Sequence, residues 1–133
     1  MSVEFLGGTR TGAGGQPLPF SSAVKAGPFV FVSGQIAMGD NGEIVPGGIE
    51  AQTRRTMHNV EQALALAGCT LQDVVKATVW LDDARDFWSF NRVYADLRGR
   101  QARRGAGAGR HLKRSAIGGG MRWRRRRRLS GRL

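Results

Sequence analysis

At 133 residues the chain has room for one ordinary domain and little else. Its net charge of +11 points at first to nucleic acid. Residues 1–97, however, hold seven basic and ten acidic residues, net −3, while residues 98–133 hold fourteen basic residues and no acid, net +14.

The basicity therefore assigns nothing to the front segment. Cys69 is the single cysteine, so an internal disulfide is excluded, which fits a reducing cytoplasm. The start of the chain has no basic region followed by an apolar stretch, so no signal peptide is expected. No run of about 18 apolar residues occurs, so no membrane helix is expected either.

Residues 3–6 read as a short strand and residues 7–15 as a glycine-rich connection. Pro17 and Pro19 keep the next stretch extended. Residues 20–26 read as strand, and Ala26-Gly27-Pro28 as a turn. Residues 29–36, β-branched and aromatic with apolar side chains on both faces, make the clearest strand. Gly39-Asp40-Asn41-Gly42 is a tight turn. Residues 49–67 have helical spacing, with Ile49, Thr53, Thr56, Val60, Ala63 and Ala67 on one face, Leu64 beside them, and Gly68 as the stop. Arg54, Arg55, Asn59 and Gln62 fall towards the other side. Residues 74–81 read as a second strong strand. Asp83 is placed to cap a second helix, in which Phe87, Phe90, Tyr94 and Leu97 recur on one face with Val93 alongside. The order strand, strand, strand, helix, strand, helix predicts an α+β domain with a mixed sheet and two helices on one face. One more strand is expected after the second helix, to complete the sheet.

Past Leu97 the pattern stops. Residues 98–133 contain 13 arginines and 8 glycines, and no strand or helix period emerges. Such a segment buries too little apolar surface to offset its ordering entropy, so disorder is the expectation. Two readings compete for it. It is a basic arm binding nucleic acid by charge alone, with Trp123 available to stack on a base; or it is the product of a slipped reading frame. Arginine codons of the CGN type, moved by one base, become GNC codons for Val, Asp, Ala and Gly, so residues 124–128 would read as strand. The domain reading is accordingly 1–97, lacking its final strand, and 98–133, an Arg/Gly-rich tail.

Several residues invite sharper readings that the sequence does not support. Ser33 lacks a nucleophile elbow, and His58 sits mid-helix beside basic neighbours, so a Ser–His pair is not favoured. His111 is read as an uninvolved tail residue. Two histidines and one cysteine give no metal-ligand spacing. Residues 7–15 lack the Gly-Lys-Ser/Thr frame of a phosphate loop. Trp80 and Trp88 read as core or subunit-interface residues, and Cys69 as a small buried one.

Four phrases carry a resemblance: Leu18-Pro-Phe-Ser-Ser-Ala-Val-Lys-Ala-Gly27, Phe29-Val-Phe-Val-Ser-Gly-Gln-Ile-Ala37, Gln52-Thr-Arg-Arg-Thr-Met-His-Asn-Val60 and Phe90-Asn-Arg-Val-Tyr94. In this order and spacing, over about residues 16–97, the chain resembles the RidA (YjgF) family of enamine/imine deaminases. The resemblance implies a chorismate-mutase-like subunit in a homotrimer, with active sites in clefts between subunits. It implies hydrolysis of reactive 2-imino or enamine acids to 2-keto acids and ammonia, without metal or cofactor. It also places Ser33, Gly34 and Asn91 at substrate-binding positions, with Phe20 where the best-known members carry tyrosine. The family's Pro-Ala-Arg phrase and its glutamate-bearing final strand are absent. Arg103 and Arg104 lie in roughly the right region, but no proline precedes them. Read literally, the chain lacks its carboxylate anchor and its acid.

The functional expectation is thus a cytoplasmic imine deaminase by descent, with an inactive member left open. A nucleic-acid-binding or ribonuclease-like protein acting through the tail is one alternative. A non-catalytic trimer binding imino or keto acids is the other.

Overall fold

Helix α1, Ile49–Ala65, forms where the spacing places it because none of its 17 residues is glycine or proline. In the computed structural model, which describes residues 2–11, 15–104, 115–118 and 121–122 with side chains up to Gly99, α1 buries Thr53, Thr56, Met57, Val60, Ala63 and Leu64 along one face. Thr53 is fully buried without penalty because its hydroxyl donates to the Ile49 carbonyl at 2.6 Å. The helix closes with a paired cap: Gly68 N–H donates to Ala65 O and Cys69 N–H to Leu64 O, each at 3.0 Å. Gly68 takes the left-handed conformation, φ +69°, that this closure demands.

Strands β1 (Val3–Leu6), β2 (Ala23–Ala26) and β3 (Phe29–Val32) form an antiparallel meander. β4 is Val74–Lys76, β5 Val79–Trp80, β6 Ser115–Gly118 and β7 Met121–Arg122; helix α2 is Phe87–Arg104. The main sheet runs β1-β2-β3-β6-β4, and β5 pairs with β7 in a second, two-stranded sheet. β3, β6 and β4 are mutually parallel. Parallel neighbours need crossover connections, which α1 and α2 supply, so the expected mixed sheet with two helices is present.

Val30 and Val32 point to the helices and are buried with Met57, Val60, Leu64, Leu71 and Phe90. The alternate residues face the other way. Val3, Ala26 and Phe29 lie in one cross-strand row, and Phe5, Val24 and Phe31 in the next. Of these, Val3, Phe5, Phe29 and Phe31 are exposed.

The structure departs from the sequence reading in several places. Phe20 precedes β2 rather than belonging to it, and the strand expected over 29–36 ends at Val32. The stretch 74–81 divides between two sheets, with a register shift already between Val74 and Lys76. Phe87 is exposed at the start of α2, edge-on to Trp88 with centroids 5.3 Å apart, while Phe90 and Val93 are buried. Asp83 caps the short 3-10 turn leading into α2, accepting from Arg85 N–H at 2.9 Å. Leu97 falls inside α2. Just beyond it the Arg98 guanidinium donates to the carbonyls of Leu71 and Val74, tying the helix to the entry of β4. A strand, β6, stands between β3 and β4, in a stretch too short and too poor in aliphatic residues to show alternation. Trp123 and residues 124–128 lie outside the described residues.

The turn after β3 forms at Gly39-Asp40-Asn41-Gly42 as expected, with Gly42 N–H on Gly39 O at 3.1 Å. α1 grips this loop. Asn59 Nδ2 donates to Ile36 O and Met38 O, and Arg55 Nε donates to Met38 O at 2.8 Å. Arg55 also pairs with Asp40 at 2.8 Å.

Gly68→Ala meets no neighbouring atom, so its cost is that of the backbone alone, about 1–2 kcal/mol. Chemical denaturation should show that loss in the midpoint with an unchanged slope. The Asp40 carboxyl is held below its ordinary value of 3.8 by the hydrogen bond and charge of Arg55. Its contribution is therefore present above about pH 4 and lost as pH falls through the lower folded value. An NMR titration of Asp40 should give a midpoint below 3.8 that returns towards it in Arg55→Gln.

Candidate functional site

Where β3 ends, the chain is pinned by hydrogen bonds rather than by a strand partner. Ser33 N–H donates to Ser22 O at 3.1 Å, and Ser33 Oγ donates to Ser21 O at 2.6 Å. Ser33 O accepts from Gln35 Nε2 at 2.9 Å. Gln35 is 4% exposed, so its amide is committed to the protein. The Ser33 hydroxyl has thus spent its proton, but its oxygen retains capacity to accept.

Ser33 opens onto a cavity of about 580 Å3 together with Phe5, Leu18, Phe20, Ser21 and Val24. The volume is in the range of small-molecule sites. The remaining lining residues are Gly8, Thr9 and Pro19, so among the described residues no ionisable side chain lines the cavity. Phe5 and Val24 belong to the outward row of the sheet, so this cavity lies on the side away from the helices.

The structure therefore brings Phe20 and Ser33 together. Gly34 follows Ser33 and is exposed; Asn91 sits half-buried on α2; neither lines this cavity. The backbone of Arg103 and Arg104 ends α2, and their side chains lie outside the described residues. Trp80 and Trp88 are exposed on the single chain, which removes the core reading. Cys69 is buried. Among the described residues, no three His, Cys, Asp or Glu side chains stand together as a metal ligand set, and no helix is long and apolar enough to cross a membrane.

Behind Ser33 lies a second cavity, about 480 Å3, between the helix α1 side and the loops after β1 and β3. Arg10, Gln35, Arg55, His58, Asn59 and Gln62 line it. His58, read from sequence as a packed or surface residue, contacts Gln62 Nε2 through its Nε2 at 3.2 Å. Sequence reasoning passed over Arg10 and Gln35. Gln35 was within reach, as the last residue of the Ser-Gly-Gln phrase. Arg10 carried no signal, since its partner is 25 residues away.

Comparison with known proteins agrees with this architecture. The family model described as Endoribonuclease L-PSP matches residues 15–108. A RutC family protein of Pyrococcus abyssi is 48% identical over 82 residues, 61% of this chain and 65% of that protein. A Bos taurus protein named 2-iminobutanoate/2-iminopropanoate deaminase is 40% identical over 57% of this chain and 56% of its own. The crystal structure of yeast Mmf1 superposes with a TM-score of 0.64 at 27% identity, over 88% of this chain and 85% of that one. Escherichia coli TdcF, solved with bound serine, gives 0.62 at 25% identity over 90% and 84%. The chain thus spans just under two thirds of the Pyrococcus relative's length, with the fold and the Ser-Gly-Gln strand end inside the matched region. Sequence phrases, fold superposition and family model agree: the chain belongs to the Endoribonuclease L-PSP family, that is, the YjgF/RidA family.

Proposed function

We propose that the chain hydrolyses reactive 2-imino or enamine acids to 2-keto acids and ammonia, in the cytoplasm, as a homotrimer. The observation that carries the reading is Ser33, locked by Ser21 and Gln35 at the edge of an uncharged cavity, with an oxygen that can only accept. Such an oxygen suits the N–H of an iminium or an attacking water. Water adds to the C=N carbon to give a carbinolamine. The C–N bond then breaks as nitrogen takes a proton, leaving ketone and ammonia. The reaction balances with water alone, and positioning supplies most of the gain because the substrate already hydrolyses unaided. The name of the Bos taurus relative supports this substrate class.

An uncharged cavity cannot anchor the substrate carboxylate by itself. A neighbouring copy seated on the exposed row of Val3, Phe5, Phe29 and Phe31 would close the cavity and bring its own polar groups to it. Asn91 and Gly34 are assigned to orienting substrate in that assembled cleft. Non-specific nucleic-acid binding belongs to the charge of residues 98–133 and is a separate property.

The test is release of ammonia or 2-keto acid from an enzymatically generated 2-imino acid. Rates above the uncatalysed background are expected. Rates equal to it would leave a non-catalytic metabolite binder. Ser33→Ala should lower kcat/KM by roughly 10- to 100-fold, the loss of one hydrogen bond to a charged group.

A further inference from the structure

The cavity behind Ser33 differs in chemistry from the one in front. Its charged lining residues are Arg10, Arg55 and Asp40, with His58 beside them. Arg55 is already used, by Asp40 and by the Met38 carbonyl, each at 2.8 Å. The Asn59 amide is used by the Ile36 and Met38 carbonyls, and the Gln35 amide by Ser33 O. Arg10 is the exception. It is half-buried, and its hydrogen bond to Gln35 Oε1 is long, at 3.4 Å. Among the described residues no carboxylate pairs with it. A guanidinium carries five N–H donors in a planar fork, and among the described residues the long bond to Gln35 is the one side-chain hydrogen bond of Arg10 at this cavity.

The wall between the two cavities is thin and hydrogen-bonded. Gly7 and Arg10 face the rear cavity, while Gly8 and Thr9 face the front one. Ser22 and Gln35 line the rear, Ser21 and Ser33 the front. Gly7 makes this possible: φ is +88°, and a Cβ there would lie 2.7 Å from Ser22 Cβ. Hydrogen bonds run unbroken from Arg10 to Gln35, from Gln35 to Ser33 and from Ser33 to Ser21.

We propose that the rear cavity is a binding site for a small oxyanion, carboxylate or phosphate, seated on Arg10 with His58 as a second donor, and that its occupancy is transmitted to Ser33 through Gln35. An anion on Arg10 competes with Gln35 Oε1 for the guanidinium. The freed amide then shifts its hold on the Ser33 carbonyl. The cavity is large enough for a metabolite rather than a bare ion, and Ala63, Leu66 and Met38 give it an apolar side for the ligand's body. The site stands apart from the deaminase reading, because binding is measured without turnover.

The experiment is a titration of the full chain with inorganic phosphate in one arm and succinate in the other, followed by 1H–15N spectra. Residues 98–133 will attract either anion, so location decides. Saturable shifts at Arg10, Gln35, His58 and Ser33 are expected with at least one probe, and the stronger arm names the ligand class. Arg10→Gln should weaken this binding roughly tenfold or more. Asp40→Asn, which removes the acid of the lining, should tighten it. Shifts confined to residues 98–133, a Ser33 amide that does not move, or affinity insensitive to both substitutions would overturn the proposal.

Discussion

The burial of Val30 and Val32 under Met57, Val60 and Leu64 is the contact on which the rest depends. A strand alternates with a period of two, so fixing those two valines inward fixes Phe29 and Phe31 outward. A slip by one residue would put the phenylalanines under α1 and the valines in water. The same packing sets where β3 stops and hence where Ser33 stands. The front cavity is outside the sheet because Phe5 and Val24 share the outward row with Phe31. The rear cavity is inside because α1, seated on β3, brings Arg55, His58 and Asn59 against the loop that leaves it.

Much of this was legible in the sequence, and the reasons are local. α1 could be read because its apolar spacing, its helix formers and the Gly68 stop agree with one another. The first three strands and the turn at Asp40 announce themselves through β-branched runs and turn residues. The split of 74–81 into β4 and β5 was not legible. Val-Val-Lys-Ala-Thr-Val-Trp-Leu is a continuous strand-like run, and only its distant partners, β6 and β7, divide it. Arg98 was hidden for a related reason: its acceptors, Leu71 O and Val74 O, are backbone atoms that no side-chain pattern reveals.

The site was half legible. Ser33, Gly34, Phe20 and Asn91 came from recognisable phrases, and the structure joins Phe20 and Ser33 around one cavity. Gln35 belongs to the same phrase, yet its role is visible only when its amide is seen holding Ser33 O on one side and meeting Arg10 on the other. The charges on the described residues are also distributed differently from what a single-chain enzyme would need. The proposed substrate cavity has none, while the rear cavity has Arg10 to spare. In the proposed assembly this imbalance makes sense, because the front cavity opens on the exposed aromatic face that a second copy would cover.

Sedimentation equilibrium of the full chain shows whether a second copy covers this face. Across a range of concentrations, in enough salt to screen residues 98–133, a trimer gives the mass of three chains, reduced when Phe31 is replaced by a charged residue. A single-chain mass throughout, with the outward face of Phe5, Phe29 and Phe31 left in water, would contradict it.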